Sequence, residues 1–358
     1  MDIDEEIKKI EEEIKNTKYN KATQHHIGKL KAKIACLRDK KLKQKGGKGG
    51  AGFGVKKSGD ATIGIVGFPS VGKSTLINRL TNAESKIGSY DFTTTSVIPG
   101  VMEYGGCKIQ ILDLPGIIYG ASEGKGEGRR IISIARAADL LLIMVDAGDL
   151  SQLDFIRNEL WLSGIRINQK PPNVTIKKKD RGGISIELSR KAKIDCETAK
   201  NIAQEYLINA DIVIRENVDE ERLIDALSGN RVYIPSIVAI NKIDMSRKGK
   251  INIARDDRTV LISAKTGFGI EELKEKIFNT LTLVRVYMKP EGKGADMKHP
   301  LVLKKGAKIE DVCRKIHREF VKNFRYAAVW GPSASFPGQR VGMNHKVEDG
   351  DIITIATR

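Results

Sequence analysis

Gly67-Phe68-Pro69-Ser70-Val71-Gly72-Lys73-Ser74, followed by Thr75, has the spacing G-x-x-x-x-G-K-S. The apolar residues 62–66 before it read as a strand, and residues 73–80 after it as a helix. A glycine-rich turn in that setting points backbone N–H groups inward, and the helix behind it presents its positive end, so the loop is suited to phosphate oxygens. In this frame Gly67, Pro69, Ser70, Val71, Gly72 and Thr75 surround the phosphates. The Lys73 ammonium reaches the β- and γ-phosphates, and the Ser74 hydroxyl binds Mg²⁺. A glycine turn with an incidental Lys-Ser leaves the strand–loop–helix setting unexplained.

An α/β pattern extends outward from this loop. Residues 108–112, 140–145, 236–240 and 260–262 read as buried strands, and 151–163 and 271–281 as helices. Connections in such units usually span a few residues, so the roughly 70 residues before strand 236–240 predict an inserted small domain over 166–232. Its pattern is strands 174–179 and 184–188 around the turn Asp180-Arg181-Gly182-Gly183, helices 197–208 and 220–227, and a strand at 212–214. At the other end of the chain, Ile3, Ile7, Ile10 and Ile14, then Ile27, Leu30, Ile34 and Leu37, predict a helical hairpin, followed by a glycine-rich linker at 46–54. After residue 282, strands 284–287 and 300–303, helix 309–320 and strands 327–330 and 352–355 predict a small β-grasp domain. The expected organisation is 1–60 for hairpin and linker, 61–165 plus 233–282 for the α/β domain, 166–232 for the insert and 283–358 for the last domain.

A second loop reads a base. Asn241-Lys242-Ile243-Asp244 follows strand 236–240 and has the form N-K-x-D. The Asp244 carboxylate accepts two hydrogen bonds from guanine N1–H and its exocyclic amine; adenine offers a different edge and is rejected. Asn241 braces the loop, and the Lys242 stem packs on the base. Ser263-Ala264-Lys265 follows the next strand, where a backbone N–H meets guanine O6. Between these motifs lies Asp113-Leu114-Pro115-Gly116. Asp113 holds Mg²⁺ through a water, and the Gly116 N–H meets the γ-phosphate. Gly120, Gly124, Gly126 and Gly128 make the following segment suited to an order–disorder switch. In Phe92-Thr93-Thr94-Thr95, the Thr94 hydroxyl is favoured to complete the Mg²⁺ shell, with Thr93 and Thr95 as rivals and plain turn formation as the bland reading. The acting groups are therefore Lys73, Thr94, Asp113 and Gly116. A water-orienting Gln often follows D-x-x-G; here Ile117 stands there, which predicts slow intrinsic turnover. Arg129 and Arg130 read as finger residues, and at least equally as a solvated helix start or a phosphate contact on a partner.

The motif words GFPSVGKSTL, YDFTTT, DLPGII and NKID, with the segment order, resemble the Obg-like branch of translation-factor-class GTPases, most closely the developmentally regulated GTP-binding (DRG) proteins. The resemblance spans nearly the whole chain. It implies a P-loop GTPase domain with a mostly parallel sheet, an N-terminal helical hairpin, an inserted α+β subdomain like the second domain of ribosomal protein S5, and a C-terminal TGS domain of β-grasp type. It also implies GTP and GDP as substrate and product, Mg²⁺ as cofactor, a ribosome-associated role and a regulatory protein partner. Some relatives lacking the Gln use K⁺, held by an Asn at the fourth position of the phosphate loop; this chain has Ser70 there.

Bulk composition agrees. Hydrophobic residues make up 40% of the 358 residues, and the formal charge of +17 favours polyanionic partners such as RNA, a solvated lysine-rich surface being the bland alternative. From residue 15 to 57 there are fourteen Lys/Arg and one acid, Asp39, which marks the hairpin for RNA contact unless it packs on the α/β domain with its lysines in water. From residue 283 onward 15 Lys/Arg face 8 Asp/Glu, and Tyr326 and Trp330 read as core residues rather than base-stacking platforms. Cys36, Cys107, Cys196 and Cys313 form no CxxC pair, so a reducing compartment is expected. The opening residues are acidic, with no apolar signal core, and the best apolar run, 140–145, is too short to cross a bilayer. A cytoplasmic monomer with no membrane or DNA partner is expected. The competing reading is a ribosome- or RNA-binding module in which GTP is structural and turnover negligible.

Overall fold

The computed structural model describes residues 3–18, 20, 23–44, 59–81, 99–114, 127–190, 192–245, 256–290 and 292–358. They fall into two compact units, one from the segments Met1–Phe53 and Trp161–Tyr233, the other from Gly54–Leu160 and Ile234–Arg358. Elements are numbered along the chain.

The larger unit begins with β1 (Ala61–Gly67) and α3 (Lys73–Leu80), then β2 (Pro99–Tyr104), β3 (Cys107–Asp113), α4 (Glu127–Ala137), β4 (Leu140–Asp146), most of α5 (Ser151–Leu162), β10 (Ser236–Asn241), β11 (Thr259–Leu261) and α8 (Ile270–Leu281). The six strands lie in the order β11-β10-β4-β1-β3-β2. All pairs are parallel except β2 on β3. Every residue of β1 and β10 is buried, as are Leu140–Val145, so these strands read as continuous apolar runs flanked by helices rather than as alternating patterns. The core joins Ile63, Ile65, Leu142 and Met144 from the sheet to Leu76, Ile77 and Leu80 of α3 and Leu273 and Ile277 of α8. The edge strand β2 was not foreseen; α4 carries the helix start read at Arg129 and Arg130 and buries Ile131, Ile132, Ile134 and Ala135.

The same unit ends in β12 (Leu283–Met288), β13 (Leu301–Lys304), α9 (Ile309–Ile316), α10 (Arg318–Lys322), β14 (Phe324–Trp330), β15 (Gln339–Val341) and β16 (Asp351–Thr357). Their sheet runs β13-β12-β16-β14-β15, with β12 and β16 parallel. Ile309, Val312 and Cys313 of α9 pack on Val284, Val286, Ala327, Val329 and Ile353, which is the expected β-grasp arrangement. Side chains alternate across a strand, so Tyr287, Tyr326, Trp330, Ile352 and Thr354 belong to the opposite face. Tyr326 and Trp330 are thus outside the helix-covered core, unlike the sequence expectation, because their odd-numbered neighbours Ala327 and Val329 fill it.

In the smaller unit, α1 (Ile3–Asn16) and α2 (Gln24–Gln44) form the predicted hairpin, with Ile7 and Ile10 against Leu30, Ile34 and Leu37. The insert holds β5 (Ile165–Ile167), β6 (Val174–Lys178), β7 (Ile184–Leu188), α6 (Cys196–Gln204), β8 (Ala210–Ile214), α7 (Glu220–Ser228) and β9 (Val232–Ile234). The turn after β6 does not close a hairpin. Strand β8 lies between β6 and β7, antiparallel to one and parallel to the other. Its alternate residues Ala210, Ile212 and Ile214 are buried, and a central place is the one that pairs both of its edges. Helix α2 packs on this insert through Ala32, in one core with Ile202 and Leu223. Its cations are largely matched: Lys29, Lys31, Lys33, Arg38 and Lys41 each pair with a carboxylate of α1 or the insert.

Candidate functional site

The phosphate loop leaves the buried end of β1 and climbs into α3 through two left-handed residues, Ser70 (φ 62°) and Gly72 (φ 96°). A Cβ on Gly72 would lie 2.5 Å from Asn241 Nδ2, and one on Gly67 would lie 2.5 Å from the Met144 carbonyl oxygen of β4. Both positions therefore require glycine, the first for backbone conformation as well as space. Lys73 folds back along the loop and donates to the carbonyls of Gly67 and Phe68 at 2.9 and 3.0 Å. Pro69, Val71, Ser74 and Thr75 take the places the motif assigns them, Val71 buried and Ser74 exposed in the first turn of α3.

Asp113 ends β3, in register with Ile65 of β1. Burial pushes its carboxyl above the usual range, with Lys73 opposing; the Lys73 ammonium is lowered by its own burial, with Asp113 opposing. Asp113 Oδ1 is buried and has no hydrogen-bond partner among the described residues. An orphaned carboxylate oxygen and a hydroxyl at the start of α3 are oxygen donors of the kind a hard cation prefers, so the donor set fits Mg²⁺. Thr93, Thr94, Thr95, Gly116, Ile117 and Gly120, Gly124 and Gly126 lie outside the described residues, as do the side chains of Arg129 and Arg130. No described residue supports the K⁺ expectation.

The N-K-x-D and Ser263-Ala264-Lys265 loops meet the phosphate loop through Asn241. Its side chain is buried; Nδ2 donates to the Val71 carbonyl at 2.8 Å and Oδ1 accepts from the Ala264 N–H at 2.8 Å. Lys242 is left-handed (φ 65°), and its ammonium pairs with Asp146 at 2.8 Å. Asp146 ends β4 beside Asn241 and also accepts from the Gly148 N–H. Burial would raise the Asp146 carboxyl, but these bonds hold it below the usual range. Asp244 is exposed in the turn where the Met245 N–H meets the Lys242 carbonyl. The Ser263 hydroxyl accepts from the Thr266 N–H and its carbonyl from the Gly267 N–H, which shapes the loop carrying Ala264 and Lys265. Sequence reasoning missed Asp146, and Arg79, whose guanidinium donates to the Ala264 and Lys265 carbonyls. An acid closing the strand beside N-K-x-D was the available signal for Asp146; nothing local marks Arg79.

A glycine loop opening α3, an orphaned acid at the end of the adjacent strand and a bridging Asn at the base-reading loop define a P-loop GTP-binding protein of the α/β class. The comparisons agree. Family profiles match over residues 62–178 (50S ribosome-binding GTPase), 181–283 (C-terminal region of MMR_HSR1 domain) and 284–357 (TGS domain). A GTP-binding protein of Methanocaldococcus jannaschii is 52% identical, covering 100% of this chain and 94% of that one. Developmentally-regulated GTP-binding protein 1 of Xenopus laevis is 46% identical over 98% of both chains, and Developmentally-regulated G-protein 3 of Arabidopsis thaliana is 46% identical over 99% and 98%. The chain belongs to the family of developmentally regulated GTP-binding proteins. Among solved structures, the Schizosaccharomyces pombe YchF GTPase aligns with TM-score 0.48 and 15% identity, covering 84% of this chain and 99% of that one. A GTP-binding protein from Pyrococcus horikoshii OT3 aligns with TM-score 0.47 and 18% identity, covering 83% and 100%.

Proposed function

We propose that this protein is a Mg²⁺-dependent, cytoplasmic GTPase that cleaves GTP to GDP and phosphate slowly by itself and acts as a nucleotide-controlled switch on the ribosome. The supporting observation is the Asn241 bridge, which ties a phosphate-binding loop to a guanine-reading loop through one buried side chain. The loop N–H groups and Lys73 hold and neutralise the β- and γ-phosphates, Asp244 selects guanine, and the Lys242 stem covers the base. Asp113, Ser74 and Thr94 would hold Mg²⁺, which supplies positive charge to the same phosphate oxygens. With Ile117 offering no hydrogen bond, a water-orienting group comes from backbone, another loop or a partner. Phosphate release from GTP with and without Mg²⁺, in the wild type and in Lys73→Ala, tests this; equal release in all four conditions sinks the enzyme reading.

The ribosomal half of the reading draws on the β-grasp sheet. The face of that sheet turned away from α9 buries Leu283 and Val302 in the core of the P-loop domain and carries Tyr287, Tyr326 and Trp330 half-buried further along. The Lys289 ammonium sits 4.4 Å from the Trp330 ring and the Arg340 guanidinium 4.5 Å from the Tyr326 ring. The strand positions of that face bear no acid. Aromatic rings with adjoining cations are how single-stranded RNA is held by stacking and charge. The paired cations of α2 leave the hairpin less suited to that task. The name of the family matched over residues 62–178 points to the large ribosomal subunit. The protein acts as a monomer in this reading, with a regulatory protein partner. Co-sedimentation with ribosomes in the presence of non-hydrolysable GTP or GDP tests it. Tighter binding with GTP supports the switch. Equal binding favours a module in which nucleotide is structural, and no binding overturns the ribosomal assignment.

A further inference from the structure

Arg79 sits in the last turn of the helix behind the phosphate loop, and its side chain is committed to the Ala264–Lys265 loop. Nε donates to the Ala264 carbonyl at 3.2 Å and Nη2 to the Lys265 carbonyl at 2.7 Å. A cation at the C-terminal end of α3 is favoured by the helix dipole, which gives the guanidinium a defined place from which to reach across. The Ala264 N–H is already engaged by Asn241 Oδ1, so Ala264 is gripped at both ends: Asn241 holds its N–H and Arg79 its C=O.

We propose that Arg79 is a positioning residue for guanine recognition, orienting and polarising the Ala264–Lys265 peptide so that its N–H donates to guanine O6. The proposal rests on the guanine reading of the N-K-x-D loop and adds a residue to it. The Ala264 carbonyl and the Lys265 N–H belong to one amide. A charge-assisted hydrogen bond at the oxygen withdraws electron density from the nitrogen and strengthens the N–H as a donor. The Lys265 N–H has no acceptor among the described residues, and Lys265 itself is exposed, whereas Ala264 is buried. The second bond, to the Lys265 carbonyl, holds the next peptide, so the backbone is fixed on both sides of Lys265. Arg79 thereby links the end of the phosphate-loop helix to the groove where the base edge lies, and it needs a forked donor to make both bonds.

The test uses full-length protein, three diphosphates that differ at the guanine edge, and adenosine diphosphate as a control. Guanosine diphosphate has O6, N1–H and the 2-amino group. Inosine diphosphate keeps O6 and lacks the amine. 6-Thioguanosine diphosphate keeps N1–H and the amine but replaces O6 with a weakly accepting sulfur. Arg79→Ala is expected to weaken guanosine and inosine diphosphates about tenfold each, and the thio analogue by less than about twofold, since only O6 uses the polarised donor. Arg79→Lys, which keeps the charge and loses the fork, should recover part of the loss for the two oxygen-bearing nucleotides. Equal weakening of all three, or no weakening of any, overturns the proposal. If the wild-type protein fails to prefer guanosine over adenosine diphosphate, the guanine reading itself falls, an outcome distinct from failure of the Arg79 proposal.

Discussion

Asn241 donates from Nδ2 to the Val71 carbonyl at 2.8 Å, joining the loop after β10 to the loop after β1. Its Oδ1 simultaneously accepts from Ala264. Asn241→Ala leaves a buried carbonyl and a buried N–H without partners, each a desolvated group. The expected cost is about 2–4 kcal/mol of stability, shared between loop and fold. Calorimetry should show a lower unfolding temperature, and titration a GDP affinity reduced at least tenfold. Unchanged affinity would show that the bridge is incidental.

Asp113 is a buried acid whose Oδ1 lacks a partner among the described residues. Replacing it with Asn removes a poorly solvated charge while keeping the shape, so nucleotide-free Asp113→Asn should unfold no earlier than the wild type at neutral pH. What it should lose is the response to Mg²⁺: GDP affinity that rises with Mg²⁺ in the wild type should be flat in the variant. A variant that still responds would remove Asp113 from the metal site.

Asp349 accepts from Arg285 three times, from the backbone N–H at 2.7 Å, Nε at 3.0 Å and Nη2 at 2.7 Å. Those bonds, from Arg285 first, hold the Asp349 carboxyl below the usual carboxylate range. A depressed carboxyl stabilises the fold above its unfolded pKa of about 4, and that contribution is lost as pH falls through the lower, folded value. The pair is partly exposed, so its worth is at most about 1 kcal/mol. Denaturant unfolding should place Asp349→Asn below the wild type by about that much at pH 7, with the gap closing as the carboxyl protonates in acid. A gap that persists in acid would assign the effect to packing.

Trp330→Ala and Lys289→Ala act on neighbouring groups of the β-grasp face that α9 does not cover. Stacking is worth about 1–3 kcal/mol per base, so Trp330→Ala should weaken binding of a single-stranded oligoribonucleotide at least fivefold at all salt concentrations. Lys289→Ala should instead reduce the salt dependence of binding. Fluorescence anisotropy across a salt series separates the two. Wild-type affinity in both variants would remove this face from RNA contact.

Much of this molecule was legible in its sequence, because the decisive signals are local. The turn at Gly67–Gly72 lies between an apolar run of strand length and a helical one, and the period of Ile7, Ile10, Leu30, Ile34 and Leu37 names the hairpin faces that pack together. Asn241, Lys242 and Asp244 follow the end of a buried strand, where such loops project, and Asp113 closes another. Strand and helix periods arise from backbone geometry within a few residues, so they survive without knowledge of partners.

Partner choice did not survive that way, and tertiary structure decided it. The turn after β6 suggested a hairpin, yet β8 takes the place between β6 and β7, since pairing follows the burial of Ile212 and Ile214 rather than chain proximity. Tyr326 and Trp330 carry an apolar signature, but which face the α9 helix covers settles whether such rings are core or surface. Arg79 and Asp146 have ordinary local contexts; their roles appear when α3 and β4 bring them to the Ala264–Lys265 carbonyls and to Lys242. Asn241 and Val71 lie 170 residues apart and meet because parallel strands β4 and β1 set their C-terminal ends side by side with β10. Local periodicity names the elements and their exposed ends; the burial of several apolar faces at once selects which ends meet, and no single segment carries that information.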